Sequence, residues 1–412
     1  MRKIMACLDV GSDSIKLVVG EMVKKKLNIL AACEEPSLGV DKGIVQDANA
    51  LLEPVSNVIR KCEEIIGLKI RQMIVSVPAV NATYAVVNGS IEIENEGNLI
   101  EGKDVIRVMQ KAIKSRRSEN YEYISMMPTS FALDDDRVVK DPKGLTSKVL
   151  SVKGVMVSTP KKNIYPVLAV LERLNVDVLD IGFNAIGDYF EMKTKEYDKE
   201  IGAIVNLGAD VTTLSIFNKG VLTNSNVISL GGRNIDNDLS FIYKISSPEA
   251  KGLKEKFALA HKNMSQSSDF VEVENNFSEK IRINQFEISE IVMSRLEEIL
   301  NLCKKEINYL TKKEISYIIF TGGLTECKDF NLILEETFGK KAVLGSINEI
   351  GVRNNKYSSC IGLIKFYAYN AHLKSKDFSI FSIEEQQELS GANLDIQDES
   401  MIGKLFGYIF NS

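Results

Sequence analysis

One stretch near the start of the chain, LDVGSDSIK, carries the residue types of a phosphate-binding loop. Gly11 lies at the bend between two apolar runs, where it lets backbone N–H groups face an anion with no side chain in the way. Ser12 and Ser14 add hydroxyl donors, and Lys16 could supply a point charge. Asp9, at the end of the first apolar run, could hold a magnesium ion through water. An ordinary hairpin with a glycine turn is the alternative for this stretch taken alone.

A second stretch, IGAIVNLGADVTTLSIF, repeats the first one later in the chain. At an offset of 197 residues three positions coincide: Asp9 with Asn206, Gly11 with Gly208, and Asp13 with Asp210. Both copies alternate like strands on each side of a glycine bend, which is typical of a β-hairpin. Two copies of one hairpin predict two similar halves that face each other. Their tips could then hold a phosphate chain from two sides.

Two further glycine pairs follow strand-like runs. Gly231 and Gly232 end the second repeat, and Gly322 and Gly323 stand between the apolar run IIFT and Leu324. A glycine pair at the end of a strand lets the backbone approach a flat ligand closely. Together with the two hairpin tips, these pairs favour a nucleotide bound between two domains.

The bulk composition restricts the class of protein. A chain of 412 residues with 44% hydrophobic and 26% charged residues predicts a soluble globular protein of about two to four domains. A net charge of −5 argues against a general nucleic-acid surface. Six cysteines without CxxC spacing and only two histidines indicate reduced thiols in a cytoplasmic protein and little material for histidine catalysis. No apolar run reaches the ~18 residues of a membrane span.

The hydrophobic periodicity predicts the elements that position these loops. A helix is predicted from Asp47 to Ile66, a buried strand after it, and a long helix over about 287–310. The run after Gly232 is predicted to begin a helix with an aspartate at or near its cap. Residues 83–165 form a strand–helix–strand–strand block that interrupts a larger α/β domain. We therefore expect a layered α/β fold with an inserted subdomain.

The last residues of the sequence form a separate pattern. A polar stretch follows Phe381, and 400–412 would place its large apolar side chains on one side of a helix: Met401, Ile402, Leu405, Phe406, Ile409 and Phe410. Two internal glycines cost ~1 kcal/mol each in helix propensity, so this segment is expected to become helical only where its apolar side meets lipid. The alternative is a terminal helix docked on the protein's own surface.

In their collinear order, these motifs resemble the actin/Hsp70/sugar-kinase ATPase superfamily and, more narrowly, the FtsA family of bacterial cell-division proteins. The resemblance covers nearly the whole chain. The stretches that carry it are LDVGSDSIKLVVGEM (8–22), GVDKGIVQDANALLEPV (39–55), MMPTSFALDDDRVVKDPKGL (126–145), SLGGRNIDNDLS (229–240), SRLEEIL (294–300), IIFTGGLTECKDF (318–330) and IGLIKFY (361–367).

The resemblance implies an actin-like ATPase fold of two large domains, each built on one copy of the hairpin. The expected divisions are subdomain IA at 1–82 and 166–197, the inserted IC at 83–165, IIA at 198–235 and 312–383, IIB at 236–311, a linker at 384–399 and a membrane-targeting helix at 400–412. ATP with Mg²⁺ would lie in the cleft. The implied nucleotide-binding residues are Asp9, Gly11, Ser12, Asp13, Ser14, Lys16, Asn206, Gly208, Gly231, Gly232, Lys254, Gly322, Gly323 and Leu324, with Asp9 holding the metal through water.

The chain departs from the family pattern at two acidic positions. Asn206 stands where the second phosphate motif usually carries an acid, and Lys251 replaces the usual glutamate before Lys254. Loss of the first acid removes a magnesium-water ligand or a group that orients the attacking water. We therefore expect ATP binding with at most slow hydrolysis.

The resemblance also implies partners. Family members tether FtsZ filaments at the division septum, on the inner face of the cell membrane, and polymerise with themselves. Arg295 and Glu298 match family positions for the FtsZ C-terminal peptide, although an exposed face of a long helix is the alternative for both residues. No nucleic-acid partner is expected. The alternative functions are a small-molecule kinase of the same superfamily, which would need an acid at the position of Asn206, and a pilus-assembly adaptor, which would lack the tail helix.

Overall fold

A computed structural model describes residues 3–23, 26–67, 69–114 and 120–373. The predicted linker at 384–399 and the predicted membrane helix lie outside the described residues. So do the six apolar residues assigned to that helix: Met401, Ile402, Leu405, Phe406, Ile409 and Phe410. Within the described ranges, no helix is both long enough and apolar enough to cross a membrane.

The first half of the molecule is a five-stranded mixed sheet covered by helices on both faces. Its strands are β1 (Lys3–Val10), β2 (Ser14–Val23), β3 (Lys26–Pro36), β6 (Gln72–Val77) and β11 (Asp177–Phe183), in the order β11-β6-β1-β2-β3. Its helices are α1 (Ala48–Ile66), α3 (Tyr165–Arg173) and α4 (Asn184–Met192), and the short pair β4 (Val40–Asp41) and β5 (Ile44–Val45) precedes α1. Helix α1 packs against β2 and β3. Near-continuous burial along β1 and β2 is what a sheet covered on both faces requires.

The second half repeats this sheet. Its strands are β12 (Ile201–Leu207), β13 (Thr212–Asn218), β14 (Val221–Ile228), β17 (Tyr317–Thr321) and β18 (Ala342–Leu344), in the order β14-β13-β12-β17-β18. The helices of this half are α5 (Gly232–Tyr243), α6 (Ser247–Lys256), α7 (Gln285–Leu310) and α8 (Phe330–Phe338), with the hairpin β15 (Phe270–Glu274) and β16 (Lys280–Asn284) before α7. Helix α7 packs against β13 and β14.

The two hairpins match in register as well as in order. Asp9 pairs with Lys16 across β1 and β2, and Asn206 pairs with Thr213 across β12 and β13, so both pairs obey the offset of 197. Each first strand also pairs in parallel with the strand that follows a helical crossover, β1 with β6 and β12 with β17. The fold prediction of a duplicated hairpin core is confirmed.

A separate four-stranded antiparallel sheet is inserted between β6 and α3. Its order is β7-β10-β8-β9, and it is formed by β7 (Thr83–Glu92), β8 (Tyr121–Ala132), β9 (Val138–Val139) and β10 (Val149–Pro160), with α2 (Gly102–Ile113) packed on β7 and β10. This block has a small core of its own, which includes Val105, Val108, Phe131 and Leu150.

The last described helix, α9 (Ser358–Leu373), returns to the first half. It packs against β1, β2 and β6 and crosses α4, although the layout implied by the family resemblance placed 312–383 in the second half. The crossing is close because both helices present a glycine: a Cβ on Gly362 would overlap the carbonyl oxygen of Gly187. The two helices thus join the sheet of the first half to the base of the cleft.

Candidate nucleotide-binding cleft

The first hairpin loop is closed by backbone and side-chain bonds. The Gly11 N–H donates to the Ser14 carbonyl at 3.2 Å, and Lys16 Nζ donates to the same oxygen at 3.0 Å. Lys16 Nζ also lies 3.7 Å from Asp9 Oδ2. The loop therefore fixes a mostly buried ammonium group and a carboxylate side by side at the ends of β1 and β2.

The second hairpin loop is closed by the same kind of backbone bond, and the start of α5 packs beneath it. Gly208 N–H donates to the Val211 carbonyl at 3.0 Å, and Gly232 N–H donates to the Gly208 carbonyl at 2.9 Å. A Cβ on Gly231 would overlap the carbonyl oxygens of Gly208 and Ala209. Only glycine can occupy position 231 while the start of α5 packs this closely on the loop.

The third glycine site adjoins the second loop. Gly322 has a φ of 96°, and a Cβ there would lie 2.5 Å from Asn206 Oδ1 and 2.8 Å from the Leu207 backbone nitrogen. Both the backbone conformation and the space therefore require glycine. Residues 323–326 continue as a short 3₁₀ helix, and α8 begins at Phe330.

The three glycine sites surround one cavity of about 520 Å³ between the two halves. Thirteen of the fourteen residues assigned to nucleotide binding line it, and Gly231 lies beneath its wall. The cavity also has polar lining residues that were not assigned from the sequence: Glu34, Glu35, Ser76, Asn184, Asp210, Thr213, Asp236, Lys251, Glu255, Glu326, Asn354, Lys356 and Ser359. Of these, Asp210 carried a signal in the sequence, since it repeats Asp13.

A buried ion pair forms the wall beside the Gly232 turn. Lys254 Nζ lies 2.7 Å from Asp236 Oδ1 and donates to the Gly232 carbonyl at 3.1 Å. Burial raises the pKa of Asp236, against the opposing effect of Lys254. The sequence prediction of an aspartate cap for this helix is wrong. Gly231 is the N-cap, and its N–H donates to Asn234 Oδ1 at 2.9 Å, so Asp236 is free to face Lys254 one turn into α5.

Ion pairs and hydrogen bonds connect the two halves across the mouth of the cavity. Lys251 Nζ lies 2.6 Å from Asp13 Oδ1, and Arg233 donates to the Ser12 carbonyl at 3.1 Å while it pairs with Asp210 at 2.9 Å. Burial alone would raise the pKa of Asp13, but the bond and the charge of Lys251 outweigh it and hold that pKa below its usual value. The family's missing glutamate is therefore replaced by a cation that binds the opposite loop.

Asn206 is bonded to a buried acid behind the cavity. Its Nδ2 donates to Asp188 Oδ2 at 2.7 Å, and Ser358 and Ser359 donate to Asp188 Oδ1 at 2.6 and 2.7 Å. Asp188 is 1% exposed and does not line the cavity. Burial raises its pKa to about 6, partly offset by these three hydrogen bonds. The acid that the sequence lacks at position 206 is thus present one hydrogen bond further from the cleft.

A pH dependence of stability follows from two raised pKa values. Burial raises the pKa of Asp188 to about 6 and that of Glu191 to about 7, against 3.8 and 4.5 for the free side chains. The folded protein therefore binds these protons more tightly than the unfolded chain, and it loses stability as pH rises from about 4 to about 7. For Asp188 the loss is on the order of 3 kcal/mol.

Urea unfolding at about pH 5 and about pH 8 measures this dependence. Asp188→Asn should reduce the fall in unfolding free energy between the two pH values, whereas Asp41→Asn, at an exposed position, should leave it unchanged. An equal fall in unfolding free energy in wild type and Asp188→Asn would contradict the raised pKa of Asp188.

The residues assigned to a peptide partner lie on α7, far along the chain from the hairpin loops. Arg295 donates to both carboxylate oxygens of Asp238 on α5, at 2.7 and 2.9 Å, and it also pairs with Glu298. Arg295 and Glu298 are thus neighbours on one helix, with the guanidinium group already engaged.

Comparison with known families supports one assignment. Residues 203–362 match the family profile described as "Cell division protein FtsA", and residues 82–158 match "SHS2 domain inserted in FTSA". The cell division protein FtsA of Bacillus subtilis is 26% identical over 386 residues, which cover 93% of this chain and 88% of that protein. The FtsA of Streptococcus pneumoniae is 25% identical over 362 residues, which cover 87% of this chain and 79% of that protein.

Solved structures share the fold at low sequence identity. A chain of the PilM–PilN type IV pilus biogenesis complex has a TM-score of 0.59 at 11% identity, covering 89% of this chain and 98% of that one. MreB5 of Spiroplasma citri, bound to ADP, has a TM-score of 0.55 at 11% identity, and the match covers 90% of this chain and 98% of that one. The duplicated sheets and the cleft between them define an actin-like ATPase fold. Within that class, the chain belongs to the FtsA family of cell-division proteins.

Proposed function

We propose that this protein binds ATP with Mg²⁺ in the cleft and attaches FtsZ filaments to the inner face of the cell membrane at the division septum. The observation that carries the nucleotide assignment is the pair of matched hairpin loops on opposite sides of one cavity. Backbone N–H groups and Lys16 are suited to bind phosphate oxygens. The Gly322–Gly323 turn leaves room for a flat base.

The donor set of the cleft fits magnesium. Asp9 is a cavity-lining carboxylate, and a single carboxylate with bound waters and phosphate oxygens is a common arrangement for Mg²⁺ in nucleotide sites. Within the described part of the chain, no three acidic, cysteine or histidine side chains cluster as a metal cage. The metal would neutralise charge on the phosphate chain, while Lys16 and the loop N–H groups orient it.

Hydrolysis is expected to be slow. Asn206 brings no charge to the second phosphate loop, and Asp188 is buried behind it. The position that usually carries the acid of the second phosphate loop therefore offers no carboxylate to activate a water molecule. A nucleotide that is bound and rarely cleaved suits a protein that polymerises with itself and serves as an adaptor.

Membrane attachment and filament binding rest on the sequence and the family. Segment 400–412 supplies six large apolar side chains and one lysine, so its binding would depend mainly on apolar burial and on avidity in a polymer. Arg295 and Glu298 are proposed contacts for the FtsZ C-terminal peptide. Membership of the FtsA family favours this adaptor over a small-molecule kinase or a pilus-assembly adaptor.

Cosedimentation with lipid vesicles and purified FtsZ tests the adaptor function. The full-length protein with ATP should carry FtsZ into the vesicle pellet, and a variant ending at Ser400 should lose vesicle binding while it keeps FtsZ binding. Leu405→Glu/Phe406→Glu in the full chain provides a matched control of equal length. Vesicle retention of the variant ending at Ser400 would contradict the tail as membrane anchor. Failure of the full-length protein to pellet FtsZ would contradict the adaptor function.

A further inference from the structure

The amide of Asn206 can have only one orientation while Asp188 is ionised. The Asp188 carboxylate accepts hydrogen bonds from Ser358, Ser359 and Asn206 Nδ2, and a carboxylate has no proton to donate in return. The NH₂ group of Asn206 must therefore point away from the cleft toward Asp188. Its carbonyl oxygen, Oδ1, is left on the side of Gly322, which lines the cavity.

That oxygen is available to a ligand. Within the part of the chain that the structure describes, Asn206 Oδ1 accepts no hydrogen bond, whereas its Nδ2 donates to Asp188. An amide oxygen in this position accepts from a water molecule, including one bound to a metal ion, as a carboxylate would, but it adds no negative charge beside the phosphates.

The orientation is reinforced by the elements around Asp188. Ser358 and Ser359 form the first turn of α9, and Thr321 at the end of β17 donates to Ser358 Oγ at 3.0 Å. The carboxylate thus joins α4, α9 and the strand pair β12–β17 at the base of the cleft. Because it is 1% exposed, water cannot replace a lost partner at low cost.

We infer that Asp188 is a positioning residue that holds the Asn206 carbonyl oxygen in the cleft. The Asp188–Asn206 pair then corresponds to an acidic second phosphate loop whose negative charge lies on Asp188, behind the cleft, and not at position 206. The inference rests on the proposed nucleotide function. It goes beyond that function because it assigns the missing acid to a named buried residue and predicts that the charge can be moved back.

Exchanging the two residues preserves every hydrogen bond in the network. In Asp188→Asn/Asn206→Asp, the new amide oxygen at 188 would accept from both serines, and its NH₂ would donate to the new carboxylate at 206. The negative charge would move from behind the cleft to its wall. The single change Asn206→Asp would instead bring two carboxylates together, and they could remain bonded only by sharing a proton.

The experiment compares wild type, the two single variants and the exchanged pair. Asn354→Asp is a control that adds a carboxylate to the cavity wall at a residue whose side chain accepts from the Lys356 N–H and is not bonded to Asp188. The first measurement is thermal stability without nucleotide, between about pH 6 and about pH 8. The melting temperature of Asn206→Asp should fall by roughly 5 °C or more as pH rises. The melting temperature of the exchanged pair should stay within roughly 3 °C of that of wild type. Equal destabilisation of Asn206→Asp and the exchanged pair would overturn the inference.

The second measurement is the affinity for a fluorescent ATP analogue with and without Mg²⁺. In Asp188→Asn the new amide would donate to Asn206 Oδ1 and turn its NH₂ into the cleft, so the gain in affinity from Mg²⁺ should fall about threefold or more. The exchanged pair should recover or exceed the wild-type gain and hydrolyse ATP about tenfold faster. An unchanged gain in Asp188→Asn would overturn the inference. If wild type bound no nucleotide, the proposed function would fail, whereas the stability measurement would still test the pairing.

Discussion

Replacement of Gly362 by alanine is expected to destabilise the protein by about 3 kcal/mol or more, the largest effect we predict for a single methyl group. The added Cβ would overlap the Gly187 carbonyl oxygen at the crossing of α4 and α9. Neither helix can move away easily, because α9 packs against β1, β2 and β6 and α4 continues directly from β11. Urea unfolding measures the loss.

Gly252→Ala is the matched control. Gly252 also lies inside a helix, α6, but its added Cβ would meet no atom within 4 Å. This substitution gains the same helix propensity without the clash and should stabilise the protein by about 0.5–1 kcal/mol. A loss of less than about 1 kcal/mol for Gly362→Ala would show that the two helices can separate at small cost and would contradict the predicted close crossing.

The second large effect is expected for Lys254→Ala. The substitution leaves Asp236 in a buried site without its cation, and loss of one partner from a buried ion pair costs about 3–5 kcal/mol. Replacement of both partners, Lys254→Met/Asp236→Leu, should recover most of this stability because no uncompensated charge remains. Thermal unfolding of the three proteins without nucleotide measures the difference.

The same variants separate a structural role from a ligand-binding role. If Lys254 contacts the nucleotide, ATP should raise the melting temperature of wild type but not that of the folded double variant. An equal rise in both proteins would contradict the assignment of Lys254 to nucleotide binding. Stability of Lys254→Ala close to that of the double variant would contradict the buried-pair argument.

The duplication of the hairpin could be predicted from the sequence because it is a local pattern repeated at a fixed offset. Asp9, Gly11 and their counterparts Asn206 and Gly208 recur with the same spacing, and the strands around them alternate as strands must. The glycines of the cavity were also recognisable, since Gly322 and its neighbours follow an apolar run that is typical of a buried strand.

The partners of the charged residues could not be predicted in this way. Asp13 pairs with Lys251 across 238 residues, and Ser358 reaches Asp188 across 170. No local periodicity relates such positions, because the contacts depend on how the two halves come together. The same limit explains the error at the start of α5. An aspartate close to Gly232 in the sequence suggested a cap, whereas the fold pairs Asp236 with a lysine of the next helix.

The position of α9 illustrates a second limit. Its residues follow the second half in the chain, and the layout implied by the family resemblance placed them in that half. In the structure they fill the face of the first sheet, where Ile361, Leu363 and Ile364 join its core. An apolar helix is compatible with either sheet, and only the three-dimensional arrangement decides which one it covers.

The engagement of Arg295 has a consequence for any peptide that binds on α7. An acidic group of a partner would have to displace Asp238, so binding exchanges one ion pair for another and the electrostatic gains largely cancel. Affinity at this place would then come chiefly from apolar contacts and would change little with ionic strength. The released Asp238 would need a cation of its own. Partners that carry a basic residue beside the acidic one would therefore bind more tightly than partners without it.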